Sequence, residues 1–252
     1  HVGWWVGQEL SVLVTAADGG QVLLQRDAQA ELGAIERLMD LGLLATQLMR
    51  EFPAYTPYYA IKKYRLEGSP AANDTNRNLL LFRDPTVDGL KTGHTEAAGY
   101  CLIATAKRDI ANVGPRRLLS IVLGTQNENA RANESQKLLN WGYTAFDAVK
   151  LFDANQAVAT PRIWKGSEPM AKLGSLTPVV VAVPAGMASK ITQQVERPEP
   201  LVAPLKQGQL VGKLKVSVAG QAYAEVPLVA LEAVAQAGWL GRTWDAMRLW
   251  IK

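Results

Sequence analysis

Cysteine is nearly absent from this 252-residue chain. Cys101 stands alone, so no internal disulfide can form, and on a strand it reads as a small buried hydrophobe. Histidine is as scarce, with only His1 and His94. No metal or cofactor is expected. No apolar run reaches the roughly 20 residues that a bilayer-crossing helix needs. Charge of one sign is not concentrated either. The formal net charge is +4 and the basic residues form no block, which argues against nucleic acid as a partner. A mild positive excess suits anionic lipid or anionic polymer instead. The chain opens at His1 rather than on a Met-led apolar leader, so a secretory leader is expected to be already absent. Two further absences bear on chemistry. No Ser or Thr is followed three residues later by Lys, and no Ser is followed two later by Asn.

What is present describes a folded protein of one or two domains, with 48% hydrophobic and 20% charged residues. The richest stretch runs from Asn76 to Tyr100. Asp84-Pro85 marks a turn. Val87 to Thr92 reads as a short strand, and Gly93 removes a side chain where a ligand backbone can approach. Ala97-Ala98-Gly99 makes a tight connection. From Tyr100 the chain alternates, with Tyr100, Leu102, Ala104 and Ala106 on one face and Cys101, Ile103, Thr105 and Lys107 on the other. Both faces are apolar up to Ala104, which predicts a strand covered on both sides. Arg117 to Leu123 supplies another strand, and Leu13 to Leu24 a hairpin turning at Asp18-Gly19-Gly20.

Lys91-Thr92-Gly93 matches one of three motifs that build the active site of serine β-lactamases and penicillin-binding proteins. Its surroundings carry the resemblance further. Asn76-Arg77-Asn78-Leu79-Leu80-Leu81, Val87 to Thr95, Ala98-Gly99-Tyr100, Arg116 to Gly124 and Glu134 to Gly142 together resemble the low-molecular-mass penicillin-binding proteins. More narrowly they resemble the D-alanyl-D-alanine carboxypeptidases that trim peptidoglycan stem peptides. The resemblance covers most of the chain after Leu43. It implies hydrolysis of the terminal D-Ala-D-Ala bond through a serine acyl-enzyme, with Lys91 and Thr92 on the substrate carboxylate and Gly93, His94 and Arg77 beside it. Such a Lys-Thr-Gly is expected on an edge strand, where an extended peptide can pair.

The family also requires Ser-x-x-Lys and Ser-x-Asn. Where the nucleophile motif belongs, the chain reads Ala34-Ile35-Glu36-Arg37-Leu38-Met39. Ala34 has no oxygen to acylate, and Arg37 stays protonated and cannot act as a base. The helical subdomain that carries Ser-x-Asn is missing near residues 39–43. β-Lactam binding is accordingly expected to be weak or absent. A displaced nucleophile, Ser69 or Cys101, is a competing possibility without a visible base. The stretch from Phe52 to Tyr59 reads as packing.

The rest divides into two parts. Asn127 to Ala148 reads as an amphipathic helix, with Gly142 following its Glu134–Trp141 core as a stop. Beyond it, the segments 158–164, 178–183, 191–195, 209–218 and 222–228 are short and β-like, separated by Pro and Gly. They suggest a small sandwich. The last segment places Leu240, Trp244, Met247 and Ile251 on one helical face flanked by Trp239 and Trp250, with Arg242, Asp245, Arg248 and Lys252 opposite. That pattern describes a helix lying in a membrane interface, and the family resemblance implies such an anchor. The expected fold is α+β: a truncated β-lactamase/transpeptidase-like domain (1–148), a β-rich domain (149–234) and an amphipathic helix (235–252). The expected location is the periplasmic face of the bacterial inner membrane. Stem peptide and the membrane surface are the partners. The second functional reading is a non-catalytic, membrane-associated envelope module.

Overall fold

The computed structural model describes the backbone of residues 11–16, 21–27 and 32–239, and the side chains of residues 38–239. The chain divides into two units, His1–Phe146 and Asp147–Lys252. This division lies just ahead of the expected boundary at Ala148.

The first unit is built on one antiparallel sheet. Its strands are β1 (Ser11–Ala16), β2 (Gln21–Asp27), β3 (Val87–Thr95), β4 (Gly99–Ile110) and β5 (Gly114–Thr125), in the order β2-β1-β5-β4-β3. The expected hairpin is present as β1 and β2, although its turn lies outside the described residues. The helices are α1 (Leu32–Glu51), the one-turn α2 (Thr56–Tyr59) and α3 (Leu80–Arg83), and α4 (Glu128–Thr144). The period-two alternation of β4 sorts its side chains as expected. Leu102, Ala104 and Ala106 join Leu118, Leu80, Leu81 and the α4 residues Ala132 and Leu139 in one core. On the opposite face Ile103, Leu119 and Ile121 pack with Leu38 and Ala45 of α1. Leu38 and Ala45 are seven residues apart, two helical turns on one stripe.

One helix reading is corrected. α4 stops at Thr144, not Ala148, and runs straight through the buried Gly142. There the glycine is buried inside the helix and does not terminate it. Phe146–Phe152 then forms β6, whose Val149 and Leu151 pack in a different core. α1 runs unbroken across residues 39–43, where the missing subdomain is expected.

The second unit is all-β among its described residues, apart from a short 3-10 turn. A five-stranded sheet runs in the order β11 (Ile191–Glu196), β13 (Leu210–Val218), β14 (Gln221–Ala230), β9 (Leu173–Gly174), β7 (Ala157–Ala159). β6 pairs with β10 (Val179–Pro184), and β8 (Ile163–Trp164) pairs in parallel with β12 (Leu201–Val202). Val181 and Val183 of β10 pack with Val149 and Leu151 against Val218, Ile191 and Ala224, so the pair forms a second layer over the sheet. The last expectation concerns the terminal helix. Leu240, Trp244, Met247, Trp250 and Ile251 lie outside the described residues, and Trp239 is exposed.

Candidate functional site

β3 carries Lys91-Thr92-Gly93 and forms one edge of the sheet, as expected. The strand runs on to Thr95, beyond the expected end at Thr92. It begins at a turn built by Asp84, whose Oδ1 accepts the Thr86 amide (2.9 Å) and hydroxyl (2.6 Å). Burial alone would raise the Asp84 carboxyl. The two Thr86 hydrogen bonds and the Arg108 guanidinium 3.0 Å away outweigh it and hold the pKa below its ordinary value. At the other end Gly99 turns the chain into β4 with φ +62°. A Cβ there would lie 2.9 Å from the Thr125 carbonyl oxygen, so only glycine fits.

Lys91 stands exposed on this edge opposite Ile103, and its ammonium donates to the carbonyl of Thr92. Thr92 pairs with Leu102 and Gly93 with Cys101. Gly93 and His94 are exposed, and the His94 ring stacks on Tyr100 at 4.0 Å. Cys101 is half-buried rather than buried, and its thiol donates to the Ala98 carbonyl at 3.4 Å. Ser69 sits in a turn in which its amide binds the Leu66 carbonyl. The hydrogen bonds described for these two residues run to backbone carbonyls, not to a base.

Two residues that hold this edge were not singled out from sequence. Asn78 is buried and donates from Nδ2 to the Gly89 carbonyl (2.9 Å), while its Oδ1 accepts the Leu80 amide (3.1 Å). Arg131 is only 2% exposed. Its Nη1 donates to the Gly93 carbonyl (3.2 Å), and its Nη2 donates to the Arg77 carbonyl (3.1 Å) and to Glu128 Oε1 (3.0 Å). The guanidinium also lies 5.5 Å from the Tyr100 ring centroid. Burial lowers the Arg131 pKa and Glu128 pulls it back up. The clip therefore joins the end of the Lys-Thr-Gly strand to the Asn76–Asn78 loop through a forked donor. A signal was available. α4 is capped by Asn127, whose Oδ1 accepts the Ala130 amide at 2.8 Å. A cation at the next residue runs against the helix dipole, which marks an arginine held there for another purpose.

Arg77 enters this clip through its backbone. Its exposed side chain reaches Asn73 Oδ1 at 3.3 Å. Ala34 and Arg37 both lie in α1, one turn apart, with side chains outside the described residues. The expectation that Phe52 to Tyr59 is packing is overturned, because Phe52, Tyr55 and Tyr58 are half or more exposed. Among the described residues no group of His, Cys, Asp and Glu is placed to hold a metal ion, and no helix is long and apolar enough to cross a membrane. A cavity of about 670 Å³ opens in the second unit beside Thr160, Gln194, Glu196, Arg197 and Lys215. Its charges pair among themselves, Lys215 with Glu196 and Arg197 with Glu199.

A family model described as D-alanyl-D-alanine carboxypeptidase matches residues 30–127. A second, described as the C-terminal domain of penicillin-binding protein 5, matches residues 146–236. The D-alanyl-D-alanine carboxypeptidase DacC of Escherichia coli (strain K12) is 35% identical over 215 residues, 84% of this chain and 52% of that protein. DacA of Haemophilus influenzae is 33% identical over 215 residues, 84% of this chain and 53% of its own. The chain thus spans about half the length of the curated relatives it matches. Among solved structures, penicillin binding protein 5 from Haemophilus influenzae superposes with a TM-score of 0.66 at 31% identity, over 79% of this chain and 56% of that one. With its edge-strand Lys-Thr-Gly and β-rich second unit, the chain belongs to the D-alanyl-D-alanine carboxypeptidase family of low-molecular-mass penicillin-binding proteins.

Proposed function

We propose that this chain takes part in peptidoglycan metabolism by recognising the D-Ala-D-Ala end of a stem peptide at the β3 edge, with hydrolysis impaired. The observation that carries the reading is the exposed ammonium of Lys91 on an edge strand. A free edge pairs with an extended peptide through main-chain hydrogen bonds. A lysine beside it attracts the terminal carboxylate. Thr92 supplies a hydroxyl to the same carboxylate, and Gly93 lets the peptide approach. His94 and Arg77 flank that edge.

Acylation needs a nucleophile with a base within reach. Ala34 and Arg37, at the positions that the family resemblance assigns to them, supply neither. The chain therefore binds without efficient turnover and reacts weakly or not at all with β-lactams. It works at the periplasmic face of the inner membrane, with residues 239–252 as a peripheral anchor.

Release of D-Ala from a pentapeptide and labelling by fluorescent penicillin test the impairment, and either one at the rate of an active carboxypeptidase contradicts it. Liposome sedimentation with and without residues 239–252 tests the anchor. Binding unchanged by the truncation refutes it.

A further inference from the structure

The second unit holds a cavity that recognition of a peptide terminus leaves unused. The five-stranded sheet of that unit runs from β11 at one edge to β7 at the other, and these two strands are not paired with each other. Both nevertheless line the same cavity of about 670 Å³. Ala159 of β7, with Thr160 and Pro161 after it, forms one wall, and Gln194, Val195 and Glu196 of β11 form the other. The sheet therefore curls until its two free edges face across a gap. The volume falls within the range of ligand sites, about 300–1,000 Å³.

The β11 edge is open to pairing. An edge strand presents alternate N–H and C=O groups on its outer side without a ladder partner. β11 pairs with β13 along its whole length without a register shift, so no bulge bends the edge away. The strand Ile191–Glu196 contains neither Lys nor Pro, the residues that commonly blunt an edge. Val195 packs against the core of Leu214 and Val216, while Gln194 and Glu196 are exposed.

We propose that this gap takes one extended, uncharged segment of a partner polypeptide as an added strand on β11. The charges that line the cavity are already matched. Lys215 Nζ lies 2.5 Å from Glu196, and Arg197 Nη2 lies 2.8 Å from Glu199. A phosphate or an acidic headgroup finds no free counter-ion there. A peptide backbone brings dipoles instead of net charge and matches a row of amides and carbonyls. The pleat sets the side chains of the guest: an apolar residue beside Val195, flanked by hydroxyl or amide residues beside Gln194 and Glu196. A second copy of this chain does not suit the gap, because its β11 brings β13 with it and the wall at residues 159–161 stands in the way.

The test is fluorescence polarisation of a labelled Thr-Val-Thr-Val-Thr peptide, amidated so that it offers Lys91 no carboxylate, titrated with the full chain. The expected result is saturable binding with a Kd of about 100 µM or tighter. Thr160→Trp fills the gap and weakens binding at least about tenfold, with circular dichroism unchanged because Thr160 is exposed. N-methylation of the peptide at both valines blocks one of its edges, and at the threonines the other. At least one of the two methylated peptides binds at least about tenfold more weakly. Lys91→Ala leaves binding as it was. No saturation up to about 1 mM chain overturns the proposal. So does binding that Thr160→Trp and both methylated peptides leave unchanged, or binding that Lys91→Ala abolishes.

Discussion

At the scale of single residues, Arg131 and Lys91 stand in opposite environments at the β3 edge. Arg131 is buried and holds two backbone carbonyls and one carboxylate, so replacing it leaves buried acceptors without a donor. Arg131→Gln is expected to cost about 2–3 kcal/mol in urea unfolding. Arg131→Lys should recover only part of this, since an ammonium lacks the fork. Lys91 is exposed and donates to its own neighbour's carbonyl. Lys91→Ala should leave unfolding within about 0.5 kcal/mol of the parent while abolishing binding of a D-Ala-D-Ala peptide by calorimetry. The two differ equally in legibility. Lys91 was readable because its motif is contiguous. The acceptors of Arg131 lie 38 and 54 residues away in sequence, a distance that local pattern does not span. Its place in the first turns of a helix was the one local clue.

At the scale of elements, turn chemistry sets where β3 and β4 begin. The folded-state pKa of Asp84 is lower than its ordinary value of 3.8. A depressed carboxylate contributes stability that is complete above the unfolded value and is lost as pH falls through the folded one. Asp84→Asn should therefore lower stability at neutral pH and flatten the acid limb below 3.8, read by unfolding across pH 2 to 7. Gly99→Ala should cost about 2 kcal/mol or more in the same assay, because φ is +62° and the added carbon meets the Thr125 carbonyl. Strands were easier to foresee than helix ends. Pro and Gly punctuation placed β10, β11, β13 and β14 within a few residues, because a turn needs those residues for a stated backbone reason. The end of α4 was missed for the converse reason. Gly142 looks like a terminator, yet the helix tolerates it where it is buried. The exposed faces of Phe52, Tyr55 and Tyr58 were misjudged because apolar composition says that a residue prefers burial, not whether the fold provides a cover.

At the scale of the whole molecule, the sheet and its two helical covers form the scaffold for the Lys-Thr-Gly edge, and the β-rich second unit has cores of its own. The chain spans about half the length of its relatives. Family membership was legible from the run of residues around Lys91. The central claim is that this edge grips a peptide terminus without forming a bond to it. Native mass spectrometry of the chain incubated with a peptide ending in D-Ala-D-Ala, compared with the denatured spectrum, tests both halves at once. The account predicts a 1:1 complex in the native spectrum, absent from the Lys91→Ala variant, that vanishes on denaturation to leave the unmodified mass. A covalent adduct surviving denaturation, or no complex at all, would contradict it.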